Sequence, residues 1–566
     1  MITSIAFVLL GAAAAATPCE KLATLNISSA TITSATVIPE GPPAPRGGGG
    51  GARGGGAARG GGGGAPQAGA GAAPAVTGQL GDVLTVPSGE APALPPAGGA
   101  AGAPQAAGQR GAGARGGGAA AQAQPPANIP AHCRVVMVLK PTADSIINME
   151  LWLPTQNWNG KFMGVGNGGF AGSIQGLGND MPQAIRLGYA TAGTDTGHQD
   201  SGGAWAIGHP EKMIDFGYRS THEMTLKAKQ IIKAFYDENA KYSYFKGCST
   251  GGRMAVMEAE RYPNDYDGII AGSLANRHIH MWTSGFARSI DLSRHPEGAV
   301  SAEKATLVNQ LVTKTCDTLK EGFLNNPRQC KVDFSTLLCT GGKDDATCLT
   351  APQLKTVETY YGGLKNSKGE LIFSGQALGN AIGAQRSTNQ APGNTFDLMR
   401  IAYNDPNVDW HNFDLDKDMK FLDEKIGYVD AVNPNLSKFK SSGGKLLITH
   451  GWADTTITPE TTIWYYESVL DKMGKNQSDW MRLFMVPGMG HCGGGPGVNT
   501  FDSIGALEKW VEKGIAPDTM MGKNNAGTLT RPLCQYPQAA EYKGSGDLKD
   551  AANWACKAPA TASKSK

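Results

Sequence analysis

From Cys133 onward the apolar positions fall into a repeating series of short runs and helical stripes. Arg134 to Lys140, Ile146 to Leu153, Lys161 to Val165 and Tyr189 to Gly193 read as strands. Glu223 to Tyr236 places Met224, Ala228, Ile231, Ile232 and Phe235 on one helical face. The β-prone run Tyr242 to Phe245 follows, then a glycine-bounded turn, then a helix over Arg253 to Tyr262 that Pro263 ends. Ile269 and Ile270 begin another strand. This alternation predicts a mainly parallel sheet with helices on its faces, an α/β fold. The rhythm is lost between residues 276 and 442, a helical, loop-rich stretch with four closely spaced cysteines. It returns with the buried-strand run Lys445 to Thr449, a helix over Thr461 to Met473, the strand Arg482 to Val486 and a helix over Ile504 to Lys513. The expected organisation is one α/β domain in pieces, 17–40 with 131–275 and 443–566, interrupted by a lid domain at 276–442.

Composition removes two segments from that domain. Met1 to Ala16 is an apolar run ending in alanines, without a Lys or Arg before it. It reads as a signal peptide and is too short to span a bilayer. Residues 41–130 are dominated by Gly, Ala, Pro and Gln, and bury too little apolar area to fold, so a disordered insertion is expected. Its Arg-Gly-Gly steps also suit a nucleic-acid-binding arm, which a secretory leader argues against. The net charge of +2 points to no polyanionic partner, and no membrane association is expected. Ten cysteines, an even number behind a leader, suggest disulfides and a secreted or periplasmic location. Their pairing is open at this level.

The chemistry centres on Gly247-Cys248-Ser249-Thr250-Gly251. A serine hydroxyl needs a base to become a nucleophile. The G-x-S-x-G turn presents it on a sharp corner between a strand and a helix, and both are expected here. In α/β-hydrolases an acid and then a histidine follow the serine in sequence. Asp454 follows the Lys445 strand, in His450-Gly451-Trp452-Ala453-Asp454. His491 follows the Arg482 strand, in Pro487-Gly488-Met489-Gly490-His491. Alone, each is equally a turn or surface residue. Their joint order and position mark His491 as general base and Asp454 as its support. Cys248 and Cys492 flank the serine and the histidine, so a formed triad would bring them close. A bridge there would close a loop of more than two hundred residues, worth about 4–5 kcal/mol.

Cys248-Ser249, Asp454 and His491-Cys492 together resemble the tannase and feruloyl esterase family of serine esterases. The resemblance extends to Asn157-Trp158-Asn159-Gly160-Lys161-Phe162, to the glycine loop from Gly164 to Gly172, and to Ala192-Gly193-Thr194-Asp195-Thr196-Gly197-His198. It fails over 41–130. It implies an α/β-hydrolase fold with a large inserted lid, and hydrolysis of aromatic esters such as galloyl or feruloyl esters. It is also similar to mono(2-hydroxyethyl) terephthalate hydrolase, which widens the substrate class. By the same resemblance Cys248 pairs with Cys492, Cys19 with Cys133, Cys316 with Cys330, Cys339 with Cys348 and Cys534 with Cys556. The glycine loop also fits G-x-G-x-x-G, but no helix opens after Gly169, so a dinucleotide site is rejected. Backbone N–H groups of Thr250 and of Gly168 or Gly169 are the expected oxyanion donors.

No cofactor is expected. The family's lid calcium loop would fall at Cys316 to Pro327, where Lys320 and Asn325 replace wanted carboxylates, so a structural calcium is doubtful. Asp414, Asp416 and Asp418 suit a charged helix start, because Met419 and Lys425 break the EF-hand pattern. His278 and His280 would share a strand face, with no third ligand evident. Trp282, Phe286, Tyr360, Tyr361, Tyr403 and Trp410 are lid aromatics that could contact substrate or form lid core. The alternative from another class is a non-catalytic secreted binding protein on the same scaffold, which a complete triad disfavours.

Overall fold

The computed structural model describes residues 17–43, 128–170, 172–174, 178, 180–200, 202–388, 390 and 392–558. The expected leader, most of the Gly-rich segment and Ala171 of the glycine loop lie outside the described residues. A nine-stranded sheet runs in the order β1-β2-β3-β5-β4-β6-β7-β8-β9. Its strands are β1 (Ala30–Ile38), β2 (His132–Leu139), β3 (Ile147–Pro154), β4 (Lys161–Val165), β5 (Ala190–Thr194), β6 (Tyr242–Cys248), β7 (Gly268–Gly272), β8 (Lys445–Gly451) and β9 (Met481–Val486). β1 to β3 pair antiparallel, and β3 meets β5 antiparallel. From β5 through β4, β6, β7 and β8 to β9 every pairing is parallel. Parallel strands need crossovers and covered faces, and β7 and β9 are accordingly buried at every position.

Alternation along these strands divides the core between the two faces of the sheet. Phe245, Ile269, Leu446 and Ile448 join one cluster. Helices α1 (Ser220–Tyr236), α2 (Thr250–Arg261) and α7 (Pro459–Met473) cover it with Met224, Ile231, Met254 and Ile463 among others. Tyr244, Ile270, Leu447 and Phe484 join the other cluster, under Ile504, Leu507 and Trp510 of α8 (Ser503–Lys513).

β1 was not expected from the periodicity. Its alternation is muted because Thr and Ser occupy much of it and most of its positions are at least partly exposed. Pairing with β2 and the Cys19–Cys133 disulfide hold it. Beyond it, Gly41 and Ile129 exchange two backbone hydrogen bonds, so ordered backbone enters both ends of the Gly-rich stretch.

The 276–442 stretch carries α3 (His278–Arg294), α4 (Ala302–Cys316), α5 (Ala351–Gly362) and α6 (Leu415–Ile426), with a short hairpin at 364–373. Val308, Val312, Leu349 and Val357 form a cluster of its own. A second cluster, with Phe286, Leu398 and Leu422, also takes in Phe170 and Phe216. Asp414 caps α6 by accepting the Lys417 N–H at 2.9 Å, the charged helix start that its sequence suggested. His278 and His280 sit at the start of α3, a helix rather than a strand, and do not share a face.

Candidate active site

β6 ends at the centre of the sheet, and the chain turns there into α2. Ser249 occupies the turn at φ 66°, ψ −126°, a region that non-glycine residues rarely adopt. Its N–H donates to the Gly272 carbonyl at 3.0 Å. Its carbonyl accepts the N–H of Arg253 at 3.1 Å and of Ala275 at 3.3 Å. The strained residue is therefore the serine, not its glycines. Those glycines are needed for close approach. A Cβ on Gly247 would lie 2.2 Å from the Gly251 carbonyl oxygen, and one on Gly251 would lie 2.9 Å from that of Asn167.

The glycine loop lies against this turn. A Cβ on Gly166 would lie 2.6 Å from the Gly251 Cα. The Gly251 N–H donates to the Asn167 carbonyl at 2.6 Å, and the Thr250 hydroxyl donates to the Gly169 carbonyl at 2.8 Å. The Asn167 side-chain amide donates to Thr194 O at 2.7 Å and Ser173 O at 3.1 Å. His198 Nε2 reaches the Phe170 carbonyl, and the His198 ring stacks on Trp205. Gly168 and Gly169 are thus carried on a braced loop beside Thr250. Asn167 and His198 serve as braces. Both stood within quoted motifs, but only the fold reveals what they hold.

Asp454 and His491 come together from the loops after β8 and β9. His491 Nδ1 lies 2.8 Å from Asp454 Oδ2. Asp454 is fully buried, and its Oδ1 accepts the N–H groups of Thr456 and Ile457, both at 2.9 Å. His450 Nε2 lies 3.2 Å from the same Oδ2 that His491 uses. Burial would raise the Asp454 pKa. Hydrogen bonds from His450 and His491, with electrostatic attraction to the two rings, outweigh it and hold the carboxyl well below its usual range. The Cys248–Cys492 disulfide, with Cα atoms 5.9 Å apart, joins the residue before Ser249 to the residue after His491. The other bridges are Cys19–Cys133, Cys316–Cys330, Cys339–Cys348 and Cys534–Cys556.

Two groups bear on metal binding. In the Cys316–Cys330 loop, Asp317 accepts the N–H of Glu321 at 3.0 Å and of Gly322 at 2.8 Å. Glu321 pairs with the buried Arg531 and with Asn325. These carboxylates are committed to the protein itself, so the loop does not fit calcium, which wants several free oxygens. Elsewhere His222, Glu258 and Asp265 lie within reach of one ion. There His222 Nδ1 already holds Asp265 Oδ2 at 2.6 Å, and Lys229 Nζ donates to the Asp265 carbonyl. Of the aromatics expected in a lid, Trp282 packs on Phe170 of the glycine loop with ring centroids 4.7 Å apart. Phe286 is buried in the cluster it shares with Phe170 and Phe216, and Tyr360 and Tyr361 donate to the Ala381 and Asn380 carbonyls.

A family model described as tannase and feruloyl esterase matches residues 133–557. An uncharacterized esterase of Xanthomonas campestris is 35% identical over 494 residues, covering 76% of this chain and 84% of that protein. A probable feruloyl esterase B-2 of Aspergillus terreus is 33% identical over 462 residues, covering 75% and 86%. Among solved structures, feruloyl esterase B from Aspergillus oryzae superposes with a TM-score of 0.74 at 26% identity, covering 95% of this chain and 99% of that one. An esterase from the same organism gives 0.68 at 30% identity, covering 76% and 90%.

Proposed function

This chain belongs to the tannase and feruloyl esterase family of carboxylic ester hydrolases, and we propose that it is a secreted or periplasmic serine esterase cleaving esters of aromatic acids through an acyl-enzyme. The observation that carries the reading is the Asp454–His491 contact, bridged through Cys492 and Cys248 to the strained serine turn. Five disulfides support an oxidising compartment. Among the described residues no helix is long and apolar enough to cross a membrane.

In this mechanism Ser249 Oγ attacks the ester carbonyl while His491 Nε2 takes its proton. The oxyanion of the tetrahedral intermediate accepts hydrogen bonds from the N–H of Thr250 and of Gly168 or Gly169. Collapse expels the alcohol, which leaves with the proton from His491. Water then attacks the acyl-serine, His491 again taking a proton, and the carboxylic acid is released with Ser249 restored. Asp454 keeps the His491 Nδ1–H tautomer and stabilises the imidazolium. No step uses a metal or cofactor.

The test is cleavage of methyl ferulate, methyl gallate and mono(2-hydroxyethyl) terephthalate by the wild-type chain and by Ser249→Ala. Cleavage of at least one, lost by about 10⁴-fold or more in the variant, is expected. Cleavage unaffected by the substitution overturns the mechanism. No cleavage of any of the three favours a binding role or another acyl group.

A further inference from the structure

One histidine of the site takes no part in the mechanism above. His450 is the penultimate residue of β8, fully buried, four residues before Asp454. Its Nδ1 lies 2.7 Å from Thr462 Oγ1 on α7, and that oxygen accepts the Leu274 N–H at 3.2 Å. The other ring nitrogen faces two oxygen acceptors, so Nε2 carries a proton. Nε2–H faces Asp454 Oδ2 at 3.2 Å and the Ile457 carbonyl at 3.1 Å. Leu274 belongs to the segment that also holds the serine turn, since Gly272 accepts the Ser249 N–H and Ala275 donates to the Ser249 carbonyl. A hydrogen-bonded path therefore runs from the backbone of the nucleophile turn through Thr462 and His450 to Asp454.

The two imidazoles on Asp454 Oδ2 differ in access. The His491 side chain is 27% exposed and can meet a substrate, whereas that of His450 is 0% exposed. We propose that His450 is a positioning residue that aims Asp454 at His491 and draws off part of the carboxylate charge. The proposal rests on the Ser249, His491 and Asp454 reading given above. The titratable groups facing this pair are Asp454 itself and His491 from the loop after β9. From α7 and the lid, its neighbours Thr462 and Asn380 are uncharged, Asn380 Nδ2 donating to the Asp454 carbonyl at 3.0 Å. Without the His450 donor, more of the carboxylate charge acts on His491. The protonated base is then stabilised, and a higher pH is needed to free it.

The test compares His450→Ala, His450→Gln and Thr462→Val with the wild type on p-nitrophenyl acetate, reading kcat, KM and the acid limb of kcat/KM, with Ser249→Ala as control. For His450→Ala, kcat is expected to fall about 10- to 100-fold at nearly constant KM. Its acid limb should move up by about half a pH unit. Thr462→Val should move both in the same direction by less, and His450→Gln, which keeps an N–H donor, should recover part of the loss. Thermal melting shows which variants are folded; if His450→Ala is not, the other two decide. Folded variants with an unmoved acid limb and kcat within about twofold of wild type overturn the assignment of His450. Activity retained in Ser249→Ala overturns the underlying triad reading instead, so the two failures are distinguishable.

Discussion

Two buried carboxylates, both at most 1% exposed, meet opposite fates in this molecule: Asp454 in the loop after β8 and Glu258 near the end of α2. Asp454 meets four donors, two backbone N–H groups on one oxygen and two imidazoles on the other. Glu258 meets none on either oxygen. Around it lie Asp265, a second carboxylate that can only share a proton with it, His222, whose Nδ1 is held by Asp265, and the more distant charge of Lys229. Burial and the Asp265 charge push the Glu258 pKa well above its ordinary value, whereas the donors of Asp454 push its pKa below. Equal burial thus goes with opposite pKa shifts in the two groups. The donor set, not depth, decides which carboxylate can hold a histidine cation.

The strongest way to break the comparison is Asp454→Asn, which removes the charge and keeps the shape. kcat is expected to fall by about 10⁴-fold with little change in KM, read by steady-state kinetics. Joint replacement of Cys248 and Cys492 by Ser should come next. It frees a loop of 244 residues, so stability should fall by about 5 kcal/mol in denaturant titration, with a parallel loss of rate as the histidine loop parts from the serine turn. No such long-range tie serves Glu258, whose carboxylate neighbour is seven residues away.

The pH dependence should have opposite signs at the two sites. The folded pKa of Asp454 is depressed, so its stability contribution is present above its unfolded pKa of about 4 and is lost as pH falls. The folded pKa of Glu258 is raised, so its contribution is full below about pH 4 and declines as pH rises toward the folded value. Glu258→Gln should therefore stabilise the protein at neutral pH by about 1 kcal/mol, converge with wild type near pH 4, and leave ester cleavage unchanged. Melting curves from pH 4 to 8 check this, and a destabilised variant at neutral pH would show that Glu258 is charged and paired. The smallest effect concerns the lid. With Asp317 spent on backbone N–H groups, adding calcium or a chelator should shift the melting temperature by less than about 1 °C.

Much of this architecture was legible before any tertiary contact. β4, β8 and β9 fall where their apolar runs placed them, because strands buried on both faces leave an unmixed signal. Boundaries were lost where packing, not propensity, sets them. β6 runs on through Lys246 and Gly247 to Cys248, and α2 opens at Thr250 although two glycines follow. Those glycines are poor helix formers kept by contacts of 2.3 to 2.9 Å that a Cβ would make. β1 was hidden because an edge strand of Thr and Ser carries little alternation.

By itself the sequence determined the alternation of strands and helices from β2 to β7 and from β8 to α8, the serine turn, and the order in which Ser249, Asp454 and His491 stand along the chain. Each is a local pattern, set by side-chain period, turn chemistry and distance along the chain. Only the tertiary structure decided that Asp454 is shared between His491 and His450, that Asp317 accepts two backbone N–H groups, and that Glu258 stays without a donor. Those outcomes depend on desolvation and on which donors from distant segments reach a given oxygen. Neither quantity is encoded in any single stretch of residues.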